Sequence, residues 1–486
     1  MIDLNNIEKY RENNRLEAKK ALGGLPKSIW ETYSAFANTL GGLILLGVEE
    51  HKDRSLHTVD LPDPDSLIKE FWDIVNDPNK VSINILSSKD VYSLEVNGDH
   101  IIVINVPRAD RSYKPVYIDG NPLNSYRRDG EGDYRCTREE FQAMERDAAV
   151  RTQDMRILED MDLDVIDRDS LRDYRGRMKS SRPGHVWEQL DDEAFLLRIG
   201  AAGIGTDGEK HPTAAGLLMF GDHHDLVRVF NDHLLVHQEL NDAGRATFRI
   251  TSSSGGWSGN VYDFFFRVSE RLSQGIKELL KDRGMTGEDE AAVCAALREA
   301  LANCLVNADH WGRGGVAVIK RPELITMANP GTMRVGPDAA VSGGVSDPRN
   351  SAMAKMFDFI DIGERAGSGI PNIFRVWREQ GWAEPAYTES MDPDRTVLSL
   401  PLSPEKAGDK RHEAETGDES ASENERVRSS IIEYLTDNPQ GNAAEIAEYI
   451  GSTPSRAGEY LKDLLGEGII VGEGTESRIR AYRLKR

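Results

Sequence analysis

Three polar residues recur at intervals of four near the middle of the chain: Glu299, Asn303 and Asn307. The surrounding stretch, REALANCLVNADH, is otherwise nearly apolar and is typical of a buried helix, on which this spacing places the three side chains on one face. A carboxylate can polarise a water molecule, and an amide oxygen can ligate Mg²⁺, a cation that prefers oxygen. The pattern therefore predicts a site for ATP with Mg²⁺, with Glu299 as the catalytic residue and Asn303 as the magnesium ligand. The alternative is a polar stripe that only satisfies neighbouring backbone groups.

A glycine turn farther along the chain adds phosphate-binding chemistry. The sequence GERAGSGIPNI places Gly367 and Gly369 directly before a predicted helix. Backbone N–H groups at a helix N-terminus favour phosphate. Two other glycine-rich stretches are set aside, because GGLPKS lacks the glycine before the lysine of a phosphate-binding loop and SSSGGWSG lacks a following Lys-Ser/Thr pair.

Four motifs link these residues to a known family. The pieces LREALANCLVNADH, ELITMANPG, DPRN and ERAGSGI follow one another within residues 170–402. In this order they resemble the GHKL ATPase fold, in the divergent form found at the C-terminus of RecG-related transcriptional regulators. The resemblance implies ATP and Mg²⁺ as cofactors, held by Asn303, Asn307, Asn329, Gly331, Gly367 and Gly369.

The chain departs from the common GHKL pattern in two places. At Asn329-Pro330-Gly331 the family normally has an aspartate followed by spaced glycines, so a charged anchor for adenine is missing. The divergent branch has HRDY where this chain has NADH, at 307–310. These departures leave nucleotide binding as the expectation and make efficient hydrolysis a weaker one.

A second resemblance covers most of residues 10–142. LEAK at 16–19, SAFANTLGGLILLGVEE, Pro-Val-Tyr at 115–117 and YRRDG at 126–130 are similar to the Schlafen-type AlbA-like domain. Members of that family bind nucleic acid, which implies phosphate contacts by basic residues. The candidates for these contacts are Arg15, Lys19, Arg127 and Arg128.

The same resemblance implies a nuclease interpretation. The animal Schlafens cleave RNA with three carboxylates, which map by the same local spacing onto Glu12, Glu17 and Glu50, and three carboxylates could hold a divalent ion beside a phosphodiester. Glu12 and Glu17 are five residues apart, so on one straight helix they would diverge, and they converge only if the chain bends. The family's Glu-Phe-Lys is Glu17-Ala18-Lys19 here, so the packing behind the site differs. The alternative is a structural acidic rim.

The elements that position these residues follow from hydrophobic periodicity and turn signals. Alternating strands flank Asn97-Gly98, a strong hairpin signal, and Thr137 is expected as the N-cap of a helix that closes the first domain. The apolar run TAAGLLMFG is predicted as a buried strand. The length of 486 residues suggests about three domains. The expected fold class is α+β, with several domains.

The predicted domains are an AlbA-like α/β domain at 1–148 and a GHKL-like α/β sandwich at 149–404, then an acidic linker at 405–425 and a winged helix-turn-helix at 426–486. The linker lacks large apolar residues and is expected to be disordered. The last region has the pattern of three helices and a hairpin, which is typical of a winged helix. Its candidate DNA contacts are Arg456, Arg478 and Arg480. A wing that docks protein is the alternative.

Composition limits the classes of function. The net charge of −22 argues against a uniformly basic nucleic-acid coat, although the last nine residues, RIRAYRLKR, hold five basic and no acidic ones. The three cysteines do not have the spacing of a zinc site. The longest apolar run is far short of the ~20 residues that span a bilayer, and the N-terminus has no apolar signal region. A cytoplasmic protein without a membrane partner is therefore expected.

These features favour a DNA-binding transcriptional regulator that carries a nucleotide-binding GHKL-like module. DNA is the expected partner and RNA is an alternative one. A homo-oligomer, in the first place a dimer, is expected because a GHKL-like module can mediate dimerisation. Two enzyme interpretations stay open: a metal-dependent nuclease of Schlafen type, and a DNA-stimulated ATPase that uses Glu299 and Asn303.

Overall fold

The computed structural model describes residues 4–282, 287–363, 367–391 and 394–404, together with parts of 431–484. Within these residues the chain is a mixture of helices and strands, as the sequence predicts. None of the helices in the described part of the chain is long and apolar enough to cross a membrane.

The first of two units, Met1–Gly408, begins with an α/β region. Its strands are β1 (Leu16–Lys19), β2 (Gly42–Leu46), β3 (Val48–Glu50), β4 (Leu56–Thr58), β5 (Val91–Val96), β6 (Asp99–Val106), β7 (Tyr126–Asp129) and β8 (Gly132–Arg135). Its helices are α1 (Ile29–Asn38), α2 (Pro64–Val75) and α3 (Arg138–Ala148). Strands β1, β2, β6 and β5 form a sheet in that order, in which only β1 and β2 run parallel.

The central strands β2 and β6 of this sheet are buried on both faces. Ile44 and Ile104 on one face pack in a cluster with Phe36 of α1, whereas Leu45 packs on the other face with Leu16. Successive side chains of a strand point to opposite faces, so an unbroken apolar run such as GLILL fits this position. Because β1 pairs with the buried strand β2, the backbone that carries Glu17 and Lys19 is held in place.

Two local predictions for this region are confirmed. Strands β5 and β6 are joined at Asn97 and Gly98, both of which have positive φ, as a tight hairpin turn requires. Thr137 is the N-cap of α3: its side chain accepts a hydrogen bond from the N–H of Glu140, and the Glu140 carboxylate accepts one from the N–H of Thr137. Helix α3 is therefore anchored at its start.

The rest of the unit is built around a second, larger sheet. Its strands and those of a short hairpin are β9 (Ala202–Ile204), β10 (Lys210–Pro212), β11 (Leu235–Leu240), β12 (Ala246–Thr251), β13 (Val316–Arg321), β14 (Leu324–Pro330), β15 (Ala386–Met391) and β16 (Asp394–Pro401). The order in the six-stranded sheet is β12-β11-β13-β14-β16-β15. Only β11 and β13 run parallel.

Helices complete this part of the unit. They are α4 (Arg168–Ser181), α5 (Asp192–Ile199), α6 (Ala214–Phe220), α7 (His223–Val229), α8 (Val261–Asp282), α9 (Gly287–Asn307), α10 (Pro337–Ser342), α11 (Ser351–Phe359) and α12 (Gly369–Glu379). Helix α9 contacts α8 and α12 and lies over β14. A helix with neighbours on several sides has little wet surface, which explains its apolar composition.

The prediction of a strand at TAAGLLMFG is wrong, because this stretch forms helix α6, which is capped by Thr213. All seven residues of the helix are buried, and a fully buried apolar run has no periodicity that separates strand from helix. Gly216 is needed here, because the backbone carbonyl of Ala201 lies where a Cβ atom would stand. The backbone of α6 therefore lies directly against the backbone at Ala201, which a residue larger than glycine at position 216 would prevent.

The second unit, Asp409–Arg486, is described in part. It contains α13 (Ala443–Tyr449) and an antiparallel hairpin of β17 (Ile470–Thr475) and β18 (Arg478–Leu484). Its core includes Ile446 and Ile470. The predicted linker at 405–425 and Arg456 lie outside the described residues, and Arg478 and Arg480 are described only as part of β18.

Candidate functional site

A cavity of about 660 Å³ lies between α9, β14 and the start of α12. We call it the central cavity. It brings together most of the residues that the sequence assigned to nucleotide binding. These are Glu299, Asn303, Asn307, Asn329, Gly367 and Gly369. Its other walls are largely apolar and include Met327 and Leu398.

The Glu299 carboxylate lies at the N-terminus of α12. Its Oε1 atom accepts a hydrogen bond of 2.9 Å from Nδ2 of Asn303, and it occupies the place where a Cβ atom on Gly369 would stand. The partial positive charge of a helix N-terminus stabilises a carboxylate. Glu299 is therefore compensated by groups of the protein itself, and Gly369 is required for close approach.

The remaining amides form a chain of short-range contacts along α9. Asn307 donates a hydrogen bond of 2.9 Å to the carbonyl oxygen of Asn303, and Asn329 donates one of 3.1 Å to the carbonyl oxygen of Pro330. Gly331 does not line this cavity, which corrects the prediction for it. Its Cα faces the guanidinium group of Arg349, and its φ of +89° lies in the range that favours glycine.

Arg349 is a residue that sequence reasoning missed. It is buried and donates hydrogen bonds to the carbonyl oxygens of Asn307 and Thr332, and to both carboxylate oxygens of Asp147 on α3, at 2.8 and 2.7 Å. The end of α9 and the segment after β14 are thus tied to the N-terminal region. The only sequence signal was its place in the DPRN motif, since its partner Asp147 is 202 positions away.

Asp147 is held as an anion by this arrangement. Burial acts to raise the pKa of its carboxyl group, but the guanidinium groups of Arg349 and Arg334 outweigh burial and lower that pKa below its ordinary value. Further ion pairs cross the same boundary between the N-terminal region and the central sheet. They are Arg108–Glu389, Arg111–Asp347, Arg127–Asp394, Arg146–Asp309, Arg313–Glu139 and Arg334–Asp147.

The predicted phosphate contacts divide into buried and exposed residues. The side chain of Arg128 is 1% exposed and forms ion pairs with Glu17 at 2.8 Å and Asp133 at 3.0 Å. Its burial excludes a phosphate contact in this conformation, which corrects the prediction. Arg127 is also buried, between Glu140 and Asp394. Both arginines hold the fold together.

The other two predicted contacts differ from each other. The Lys19 ammonium pairs with the Glu17 carboxylate at 2.7 Å and is largely covered. Arg15 is exposed, and one of its guanidinium nitrogens donates to the carbonyl oxygen of Leu40 at 3.0 Å. Arg15 is therefore the one of the four that lies at the surface.

The carboxylate trio does not form a metal site. Glu12 lies in a loop and Glu17 on β1, so the straight-helix geometry does not apply. Burial raises the pKa of Glu12, and the charges of Glu17 and Glu50 add to that rise, against a hydrogen bond from the N–H of Ala18. In the part of the chain that the structure describes, no group of three or more acidic, histidine or cysteine side chains could hold a metal ion. Glu17 is instead used in ion pairs with Lys19 and Arg128.

Three family models match separate parts of the chain. The family described as "Schlafen, AlbA_2" matches residues 12–137, and the one described as "Putative ATP-dependent DNA helicase recG C-terminal" matches residues 315–398. A "Domain of unknown function (DUF8451)" matches residues 142–236. The recG-type match begins after α9, so it does not include Glu299 and Asn303. No curated protein matches the chain.

Two chains are examples of the solved structures that are similar to this one. The DIP2311 protein from Corynebacterium diphtheriae is 15% identical over 97% of this chain and 80% of that one, with a TM-score of 0.40. The N-terminal domain of a "Putative ATP-dependent DNA Helicase RecG-related Protein" from Nitrosomonas europaea is 31% identical over 28% of this chain and 90% of that one, with a TM-score of 0.22. The matching family models thus make residues 12–137 similar to Schlafen AlbA_2 domains and residues 315–398 similar to the RecG C-terminal domain.

Proposed function

We propose that this protein binds ATP with Mg²⁺ in the central cavity and associates with nucleic acid through its N-terminal domain. The observation that carries the first half is the meeting of Glu299, Asn303, Asn307, Asn329 and the glycine turn in one cavity of about 660 Å³. Cavities of roughly 300–1,000 Å³ with mostly apolar walls and a few convergent polar groups are the ordinary form of small-molecule sites.

The polar groups are placed for different parts of a nucleotide. Nδ2 of Asn303 is used for Glu299, which leaves its Oδ1 as the oxygen that a hard cation prefers. Asn329 likewise uses Nδ2 for the backbone, so its Oδ1 can accept from the exocyclic amine of adenine. Met327 and Leu398 give the base apolar walls. An uncharged amide thereby takes the place of the missing aspartate.

Glu299 has the role of positioning residue and general base. Bound Mg²⁺ would neutralise phosphate charge, and the Glu299 carboxylate would polarise a water molecule beside it. Its carboxylate is already engaged by Asn303 and by the start of α12, so it is only partly available to a water molecule. We therefore propose nucleotide binding as the main activity and slow hydrolysis as the secondary one.

ATP with Mg²⁺ is expected to raise the melting temperature of the protein by about 5 °C when ATP is present at about 100 times its Kd, by mass action on the folded state. The variant Asn303→Ala should lose this shift, because the cation loses its oxygen ligand. Without ligand the variant should stay folded but melt at a lower temperature, since Glu299 loses the hydrogen bond from Asn303. Differential scanning fluorimetry gives both values.

The matched control is Asn79→Ala, since Asn79 is an exposed asparagine of the N-terminal domain. This variant should keep the full shift. If neither ATP nor ADP at millimolar concentration changes the melting temperature of the unchanged protein, the proposed nucleotide site is wrong and only the fold has been kept.

For nucleic acid, we propose a surface of exposed cations beside β1 and the β3–β4 hairpin. It contains Arg11, Arg15, Lys20 and Lys52, each exposed. Phosphate contacts from such residues fix a protein on DNA or RNA without reading the bases. The C-terminal unit, with α13 and the β17–β18 hairpin, is proposed as a winged helix that adds further DNA contacts, which would make the whole protein a transcriptional regulator, acting as a dimer.

The double variant Arg15→Ala, Lys20→Ala is expected to bind DNA more weakly and with a smaller salt dependence. Each lost phosphate contact reduces the slope of log K against log salt by about 0.9, so two contacts reduce it by about 2. Fluorescence anisotropy with a labelled duplex at several salt concentrations measures the slope. An equal reduction in the control variant Lys80→Ala, Lys89→Ala, which removes exposed cations elsewhere in the domain, would contradict the proposed surface.

A further inference from the structure

A second cavity, of about 680 Å³, lies where the N-terminal domain meets the central domain. We call it the interdomain cavity. Lining residues come from α3 and the segment 108–114 on one side and from 330–334 and Asp394 on the other. It is a different space from the central cavity, but Thr332, Met333 and Arg334 line both. Its volume is in the range of small-molecule sites.

Charged side chains of both signs line the interdomain cavity. The carboxylates are Glu139, Glu140, Asp147, Asp232, Asp309 and Asp394. The cations are Arg108, Arg111, Lys114, Arg127, Arg146, Arg313 and Arg334. Each of the six arginines has a carboxylate partner within ion-pair distance. These pairs hold the two domains together and leave the arginine charges largely neutralised.

Lys114 differs from these arginines. Its Nζ atom donates a hydrogen bond of 2.6 Å to the carbonyl oxygen of Asn38, at the C-terminus of α1, and no carboxylate in the described part of the chain lies within ion-pair distance of it. An ammonium group has three N–H donors, so this contact uses only one of them. The helix C-terminus supplies a partial negative charge, which is less than the full charge of an anion.

The electrostatic state of Lys114 agrees with this geometry. Burial, together with the positive charge of Arg108, lowers the pKa of Lys114 to about 7, although Glu389, Asp394 and Asp147 act in the opposite direction from farther away. A partly desolvated ammonium without a carboxylate beside it gains more from an incoming anion than an exposed lysine does.

We propose that the interdomain cavity is a second binding site, which takes a small phosphate-bearing anion with Lys114 as its principal contact. Phosphate suits the site because it carries a full negative charge and offers several oxygens to the ammonium donors that Lys114 does not use for Asn38. The site goes beyond the proposed ATP site, since it shares none of the residues on α9.

The segment 332–334 lines both cavities, so a change at the interdomain cavity can reach the central cavity. Arg108 donates a hydrogen bond of 2.8 Å to the carbonyl oxygen of Met333, and the Glu389 carboxylate that pairs with Arg108 accepts one of 2.6 Å from the N–H of Met333. An anion that binds near Arg108 competes with Glu389 and the Met333 carbonyl oxygen for its guanidinium group. Binding in the interdomain cavity therefore acts on a wall of the central cavity.

The test is calorimetric titration of the full chain with inorganic pyrophosphate at constant ionic strength. Lys114→Met should bind pyrophosphate at least tenfold more weakly than the unchanged protein, whereas the control Lys80→Met, an exposed lysine, should bind it equally well. Asn303→Ala should keep the Lys114-dependent binding, because it alters only the central cavity. Failure of the ATP site and failure of this site are thus separate results. Lys114→Arg, which keeps the charge, should keep most of the affinity.

The dependence on pH is a further readout. At pH 6 Lys114 is charged before the anion arrives, and above pH 7 binding must first bring in a proton. The affinity ratio between the unchanged protein and Lys114→Met should therefore be largest near pH 6 and should shrink as the pH rises to 8.5. Asp394, whose pKa burial raises to about 6, is coupled to Lys114, whose charge lowers that pKa, so Asp394 takes up its proton at a higher pH in Lys114→Met and contributes to the ratio at the acid end.

Two outcomes would overturn the proposal: absence of pyrophosphate binding at millimolar concentration, and equal affinity in Lys114→Met. Where pyrophosphate does not bind, a 20-base-pair DNA duplex is titrated as well, and the Lys114→Met variant could bind it more weakly than the unchanged protein does. In that case the phosphate belongs to a nucleic-acid backbone and not to a small molecule.

Discussion

Asp147→Ala is expected to lower the free energy of unfolding of the Met1–Gly408 unit by about 3–5 kcal/mol. The carboxylate of Asp147 accepts hydrogen bonds from Arg349 and Arg334, and both guanidinium groups are buried. Removal of the carboxylate leaves two desolvated cations without their main anion, and that loss cannot be made up by water. Urea unfolding followed by tryptophan fluorescence measures the change.

A matched control separates this network from an ordinary surface ion pair. Asp169 pairs with Arg172 at 2.7 Å, but both side chains are more than three-quarters exposed. Exposed pairs contribute about 0–1 kcal/mol, so Asp169→Ala should change the free energy of unfolding very little. Equal effects of the two substitutions would mean that the Asp147 network does not stabilise the unit.

The Asp147 contribution also has a defined sign with pH. Because the pKa of Asp147 is lower in the folded protein than its ordinary value, the stabilisation is fully present at neutral pH and is lost in acid as the pH falls through the folded-state pKa. The Asp147→Ala variant should therefore lose less stability than the unchanged protein when both are moved from neutral pH into acid.

The sequence predicted the parts of the site that depend on local spacing. Glu299, Asn303 and Asn307 share a face of α9 because a spacing of four brings side chains together on any α-helix. The glycine turn before α12 follows from the same kind of local rule. A rule of this type works without knowledge of the rest of the chain.

Long-range pairs could not be predicted in this way. Arg127 and Arg128 stand together in YRRDG and look like a surface pair, yet the partners that bury Arg128 include Glu17, which is far away in sequence. Arg349 and Asp147 belong to different domains. A single sequence does not show which distant carboxylate pairs with a buried arginine. A basic residue is therefore predicted to lie at the surface.

The fold shows the same division. The hairpin at Asn97-Gly98 and the capping box at Thr137 are local signals, and both are confirmed. Helix α6 was missed because all of its residues are buried, and an amphipathic pattern exists only where one face of an element meets water. Burial on every side removes the information that periodicity supplies.

The network at Arg349 also places the N-terminal domain next to the chemistry of the central cavity. One guanidinium group contacts the last residue of α9, the segment after β14 and the last turn of α3. A change in the position of α3 would therefore be felt at Asn307, one of the residues that line the cavity. Arg349 therefore couples the position of α3 in the N-terminal domain to Asn307 in the central domain.

Gly369→Ala is expected to weaken ATP binding at least tenfold, with a cost of about 1–3 kcal/mol in stability. A Cβ atom at this position would overlap the Glu299 carboxylate, which is the flexible end of a side chain and can swing away. The fold therefore tolerates the methyl group, but Glu299 loses both the Asn303 amide and the N-terminus of α12, and its charge moves into the space where phosphate would lie. Calorimetric titration with ATP and Mg²⁺ gives the affinity, and thermal unfolding gives the stability.

Two further variants show whether the overlap with Glu299 is the cause. Gly336→Ala should leave affinity and stability nearly unchanged, because no atom lies within 4 Å of a Cβ atom there and the φ of −56° suits any residue. The double variant Gly369→Ala, Glu299→Ala removes the carboxylate that the methyl group displaces. The double variant should lose less stability than the sum of the losses in the two single variants, since the two positions are in contact and their effects are not additive. Strictly additive effects would show that Gly369→Ala acts on the start of α12 itself and not through Glu299.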